Sequence, residues 1–234
     1  MKPHDPSRRR LFRAAGAAGL AAAVPLSADA QSKRTTYSFF NAQEASFVEA
    51  AVARLIPRDE LGPGAQEAGV PTFIDRQLAG RWGAGERLYR SGPWRQGTAG
   101  QGYQLPFTPA ELFRNALRAL DSGFAQMPVQ KQDAYLDALH KNKRDLNGVP
   151  SNVFFETLLA LTIEGFFSDP VYGGNRDMVG WKLIGFPGAY ANYYELVDRH
   201  GVKFDAPPMS LGQDARGHIH IHPDASAGNT VRRK

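Results

Sequence analysis

Apolar residues recur at three- and four-residue spacing through most of this chain, and no useful run of strict alternation occurs before its polar C-terminal end. That periodicity predicts helices, not strands. The first helix opens at Asn41, with Glu44 three residues on as in a capping box, and carries Ala45, Val48, Val52 and Leu55 until Pro57 stops it. A short second helix has Pro71 at its first position, Phe73, Ile74, Gln77 and Leu78 along it, and Gly80 at its end. Thr108 caps a third, with Pro109 at the first position, Glu111 three after the cap, and Leu112, Ala116, Leu117 and Leu120 on one face. Pro128 opens a fourth, with Tyr135, Leu136 and Leu139 apolar.

Ser151 or Asn152 caps the fifth helix, Val153 to Phe167, where only Glu156 and Glu164 interrupt an apolar or small surface. A helix apolar nearly all round belongs in the middle of a bundle. It is too short, with two carboxylates, to be a membrane span. A sixth, weaker segment runs from Ala189 to Arg199. The predicted class is therefore all-α: an irregular bundle of about five to six helices joined by long Gly/Pro-rich loops. It occupies residues 31–206, and residues 207–234, after Pro207-Pro208, are expected to form a mobile polar tail.

Two connections are longer than a minimal bundle needs. Residues 80–106 hold seven glycines together with Trp82, Tyr89, Trp94 and Tyr103, with Phe107 just beyond. Long loops inside a compact domain are commonly functional, and aromatics bring burial that a floppy linker lacks. These rings either fold back on their own bundle or dock another protein through Trp82 and Trp94, with Arg81, Arg90 and Arg95 beside them. The second connection, Asp169 to Gly188, is dense in glycine and carries Tyr172, Asn175, Arg176, Asp177, Trp181, Lys182 and Phe186. Such a text implies tight turns and close backbone approaches with aromatic anchors.

The N-terminus reads as an export tag. Arg8 and Arg9 precede Leu11-Phe12, a weakly apolar stretch runs from Ala14 to Leu26, and Ala28-Asp29-Ala30 is a small-x-small cleavage site. The arginine pair fits the twin-arginine variant, so residues 1–30 are expected to be removed after Ala30. The leader also distorts the charge balance. It holds five Lys/Arg against two Asp/Glu of a chain with 28 and 23, leaving 23 basic and 21 acidic residues, a net of +2. That balance, without a basic stripe interleaved with aromatics, sets nucleic-acid binding aside.

Twin-arginine export carries folded proteins, commonly ones loaded with a cofactor, yet the mature chain shows no G-x-G-x-x-G, no G-x-x-x-x-G-K-[ST] and no H-E-x-x-H. It has no cysteine, which excludes disulfides, iron–sulfur ligation, thiolate catalysis and a C-x-x-C-H haem site. No cofactor is expected in this chain. The folded cargo that needs export is expected to include another chain.

The run from Glu164-Gly165-Phe166-Phe167 through Asp169-Pro170, Tyr172-Gly173-Gly174-Asn175-Arg176-Asp177 and Gly180-Trp181-Lys182 to Gly185-Phe186-Pro187-Gly188 resembles the gluconate 2-dehydrogenase subunit 3 family. Ala51 to Pro57, Asp59 to Ala65 and Phe73 to Gly80 agree with it. The resemblance covers about Phe40 to Gly188. It implies a small, non-catalytic subunit of a periplasmic, membrane-associated dehydrogenase acting on a sugar, sugar acid or polyol. It further implies a glucose-methanol-choline-type flavoprotein partner holding FAD, and a multihaem cytochrome c partner holding haem c. The small subunit would stabilise the flavoprotein and carry it to the twin-arginine translocase. Docking is then expected at Trp82, Trp94, Tyr172, Asn175, Arg176, Asp177, Trp181, Lys182 and Phe186.

Other polar residues have plainer readings. Glu164, followed by Arg176 and Lys182, is expected to pair with one of them and pin the Gly-rich loop, because a buried charge requires a partner. Gly173-Gly174 lacks the strand and helix of a phosphate cradle. His218, His220 and His222 would share one face of an extended strand and offer Zn²⁺, Ni²⁺ or Cu²⁺ three imidazoles, but a solvated tail is the simpler reading. Two rivals follow: a metal-dependent periplasmic hydrolase using these histidines with Asp169 or Asp177, and a stand-alone periplasmic binding module.

Overall fold

The computed structural model describes residues 36–95, 97–98, 104–190, 196–204 and 206–221, all in one compact unit. The leader residues Arg8, Arg9, Leu11, Phe12, Ala28 and Ala30 lie outside the described residues, as does His222. Among the described residues there are six α-helices: α1 Ala42–Leu55, α2 Val70–Ala79, α3 Pro109–Ala119, α4 Val129–Lys141, α5 Ser151–Phe167 and α6 Val179–Ile184. Strand is limited to a hairpin of β1 Asp145–Leu146 and β2 Val149–Pro150, paired antiparallel. Its turn is Asn147-Gly148, both with positive φ (54° and 87°), the conformation this dipeptide favours in two-residue hairpins.

Local sequence explains where the helices start. Asn41 accepts from the N–H groups of Gln43 and Glu44, while the Glu44 carboxylate accepts from the N–H of Asn41. Thr108 and Glu111 repeat that reciprocal cap on α3. Each cap satisfies donors that the first turn leaves unpaired, worth about 1 kcal/mol. Glu44 also pairs with Arg114 of α3, whose guanidinium lies over the Phe39 ring at 4.0 Å and donates to Phe39 O. The segment before α1 is held as well by Asp75 of α2, a buried carboxylate accepting the N–H groups of Ser38, Phe39 and Phe40 at 2.8, 2.8 and 2.9 Å.

The core forms where α5 meets α1, α2, α3 and α4. Val48, Ala51 and Val52 of α1, Ile74 and Leu78 of α2, Leu112 and Phe113 of α3, and Phe154 and Leu158 of α5 are fully or almost fully buried. Aromatic edges interlock there: Phe113 meets Phe154 at 5.3 Å, and Phe47 meets Phe124 at 4.6 Å. Gly165 lets α2 come close, since a Cβ there would sit 2.7 Å from the Phe73 ring.

Three expectations need correcting. α5 is central but not buried all round: Glu156, Ala160, Ile163 and Glu164 form an outward stripe at helical spacing. The sixth helix is α6, inside the Gly-rich connection; the described parts of Ala189 to Arg199 are not α-helical, and residues 191–195 lie outside the described set. The described part of the C-terminal segment is not a free tail. Asp169 fastens it, accepting from Ser210 Oγ and from the N–H of Leu211 at 2.8 Å, while Gly188 and Met209 form a parallel bridge.

Candidate partner-docking surface

An α-helix leaves its last carbonyl oxygens without intrahelical donors. At the end of α5 the loop that follows supplies donors. Trp181 Nε1 donates to Phe167 O at 2.7 Å, Asn175 Nδ2 donates to Ser168 O at 2.8 Å, and Ser168 Oγ donates to Gly165 O at 3.2 Å. Asn175 Oδ1 in turn accepts the N–H of Gly180 at 2.8 Å, which sets the start of α6. The glycines make this closure possible. A Cβ on Gly174 would lie 2.2 Å from Gly165 O, and one on Gly180 would lie 2.1 Å from Phe166 O.

The same closure forces an unusual backbone. Asn175, Asp177 and Met178 all take left-handed conformations, at φ 46°, 56° and 56°. Non-glycine residues accept this at a cost of about 1 kcal/mol or more each, and only where surroundings over-determine it. Here the buried Asn175 and Trp181 are the anchors, and Arg176 and Asp177 between them face solvent. Tyr172, Lys182 and Phe186 are likewise exposed. The sequence-predicted residues of this loop therefore separate into two groups: Asn175 and Trp181 organise it from inside, while the other five line its surface.

Glu164 has no ion pair with Arg176 or Lys182, contrary to expectation. It lies on the outward stripe of α5, and partial desolvation raises its pKa above the usual carboxylate range.

The other loop is spatially separate. Trp82 follows the C-terminal end of α2, whereas Gly173 packs against Gly69 at its N-terminal end. A ten-residue helix, about 15 Å long, divides them. Trp82 and Trp94 are 42% and 38% exposed. Trp94 lines a cleft of about 180 Å³ with Leu88, Tyr89, Leu105 and Phe107. Trp82 does not line it, so the tryptophans do not form one anchor.

Sequence reasoning missed a third feature. The turn after α1, closed by hydrogen bonds between Asp59 and Gly62, holds Leu61 outward at 76% exposure. Leu61 and Leu183 border one groove of about 80 Å³, floored by Ile56, Phe166 and Val179. Ile184 at the end of α6 and Phe186 two residues on are also large and exposed, so apolar surface continues along the chain from Leu183. A Leu in a turn reads as unremarkable in sequence; only the packing of α6 onto α5 brings it to this groove.

The C-terminal histidines gather differently from a three-imidazole face. Asp214 accepts the backbone N–H groups of Arg216 and His218 and lies 3.0 Å from His220 Nε2 and 3.7 Å from His218 Nδ1. These interactions lower the Asp214 pKa, the His220 contact first among them. Among the described residues no group of three or more His, Asp or Glu is arranged to hold a metal ion.

Taken together the geometry defines a small helical domain that presents a rigid, strained loop and an adjoining apolar rim. The chain belongs to the gluconate 2-dehydrogenase subunit 3 family, whose model matches residues 42–188. The match runs from the first residue of α1 to the glycine that bridges Met209, and so takes in the whole bundle and the Asp169 to Gly188 loop. No curated protein and no solved structure matches the chain. Family membership makes it a subunit of a gluconate 2-dehydrogenase type of complex, alongside other subunits.

Proposed function

We propose that this chain is the non-catalytic small subunit of a periplasmic, FAD-dependent sugar, sugar-acid or polyol dehydrogenase, and that it stabilises the flavoprotein and carries it through twin-arginine export. The observation that carries this reading is the apolar rim that Leu61 and Leu183 form around one groove, with Ile184 and Phe186 exposed just beyond Leu183. The bundle already buries a complete core, so this rim is surplus to its folding. Clustered apolar residues left outside a finished core mark a surface that another protein covers. We take the covering partner to be the dehydrogenase subunit, a reading supported by the family's place in a gluconate 2-dehydrogenase complex.

The reading assigns FAD to the flavoprotein and haem c to a cytochrome subunit. This chain has no cysteine for covalent haem attachment, and its own residues act by binding and orientation. The leader supplies the export signal for both chains. The test is co-expression with the flavoprotein after Arg8→Lys and Arg9→Lys. Both chains are expected to stay in the cytoplasm; a flavoprotein that reaches the periplasm unchanged overturns the carrier role.

A further inference from the structure

Two guanidinium groups, those of Arg76 and Arg176, approach one seam of the fold. Arg76 of α2 has its Nη1 buried and without an acceptor. Its sequence neighbour Asp75 offsets part of the charge but gives Nη1 no acceptor, because that carboxylate accepts the N–H groups of Ser38, Phe39 and Phe40. Burial lowers the Arg76 pKa, but a guanidinium stays protonated in practice and remains a donor in search of an acceptor. Arg176 arrives from the strained loop, pinned by its own N–H on Ala68 O at 2.8 Å. Its side chain is exposed and, among the described residues, forms no ion pair, even with adjacent Asp177.

The seam itself is made of two glycines. A Cβ on Gly69 would lie 3.0 Å from Gly173 O and 3.4 Å from Arg176 Nη2, and one on Gly173 would lie 3.1 Å from Arg76 Nη1. Both have positive φ, +80° and +99°. Each guanidinium thus abuts the same backbone contact. The start of α2 adds no donor of its own, since the N–H groups of Val70, Thr72 and Phe73 are taken by Ala65 O and Gly69 O.

We propose that the exposed Arg176 guanidinium, backed by the charge of Arg76 at the same glycine seam, receives one carboxylate side chain of the dehydrogenase subunit, which rests on the docking reading above. Guanidinium forks match carboxylate oxygens in geometry and charge. A singly charged group fits better than a phosphate dianion, because Glu49 and Asp75 already act with Arg176 on the neighbouring Tyr37. The charge contact would sit on the loop that also bears the apolar rim, so it would fix the orientation of a partner that apolar burial alone leaves loose.

The test is the affinity of the full chain for the dehydrogenase subunit, measured with Arg176→Gln, Arg176→Glu and Arg176→Lys variants. Binding is expected to weaken about 10-fold for Gln and about 100-fold for Glu, with Lys intermediate between wild type and Gln. Melting temperatures of the isolated variants should stay at the wild-type value, because among the described residues the side chain makes no hydrogen bond or ion pair. Wild-type affinity in both Gln and Glu variants overturns the receptor while leaving the docking reading intact. Failure of the wild-type chain to bind the dehydrogenase overturns both. Sodium acetate is the small-molecule control: an Arg176-dependent rise in melting temperature, with partner affinity unaffected by the variants, would make the ligand a free carboxylate and overturn the partner assignment.

Discussion

The indole N–H of Trp181 closes the end of α5 by donating to the carbonyl oxygen of Phe167, fourteen residues earlier. Through this bond one side chain both caps the central helix and seats the loop that bears the exposed residues. Trp181 is 5% exposed and meets the Phe186 ring edge-on at 5.2 Å. Trp181→Phe keeps most of the apolar contact and orphans the Phe167 carbonyl. We expect it to lower stability by about 1–3 kcal/mol in a urea titration, and a midpoint equal to wild type would show that the bond carries no weight.

Gly180→Ala tests the close approach on the other side of the same loop. Its new methyl would be placed against Phe166 O, a backbone atom that cannot rotate away. The expected loss is roughly 1–3 kcal/mol or more, read as a lower melting temperature. Gly185→Ala is the contrast, because no atom lies within 4 Å of a Cβ there and any cost comes from its φ of +69°.

Glu164 predicts a pH dependence of definite sign. Partial desolvation raises its folded pKa above the unfolded value, so the native state holds the proton more tightly. Ionisation therefore costs stability as pH rises through the upper carboxylate range, and protonation restores it as pH falls. Glu164→Gln is expected to melt above wild type at pH 7, with the gap shrinking toward pH 4. A constant gap across that window would assign the effect to something other than ionisation.

Leu61→Asp and Leu183→Asp separate docking from folding. Both side chains are largely outside the core, at 76% and 48% exposure, so each variant should hold stability within about 0.5 kcal/mol of wild type. Each should weaken binding of the dehydrogenase subunit by about tenfold or more if the rim is covered in the complex. Pull-down of the partner at wild-type yield by the double variant would remove this face from the interface.

Much of the fold was legible because its signals are local. Asn41 with Glu44 and Thr108 with Pro109 and Glu111 announce helix starts that the structure keeps to the residue. The Asn147-Gly148 hairpin was equally local and was overlooked because its strands are two residues long. α6 escaped because its pattern is six residues among glycines, too short for a period to show. The site was harder. Its residue types were visible, but the burial of Asn175 and Trp181 and the exposure of Arg176 and Asp177 depend on where α5 ends.

By itself the sequence determined the helical class, the caps of α1 and α3, the family-like Gly-rich text and the absence of cysteine, because periodicity, turn chemistry and composition act over a few residues; the cap expected at Ser151 or Asn152 is instead Pro150, with no side-chain bond. Tertiary structure alone decided which side of the loop is anchor and which is surface. It also decided that Leu61 shares a groove with Leu183, that Asp169 holds Ser210, and that Arg76 and Arg176 share a seam. Those relations join residues 41 to 122 positions apart, and burial is set by everything that packs around a side chain, not by its neighbours in the chain.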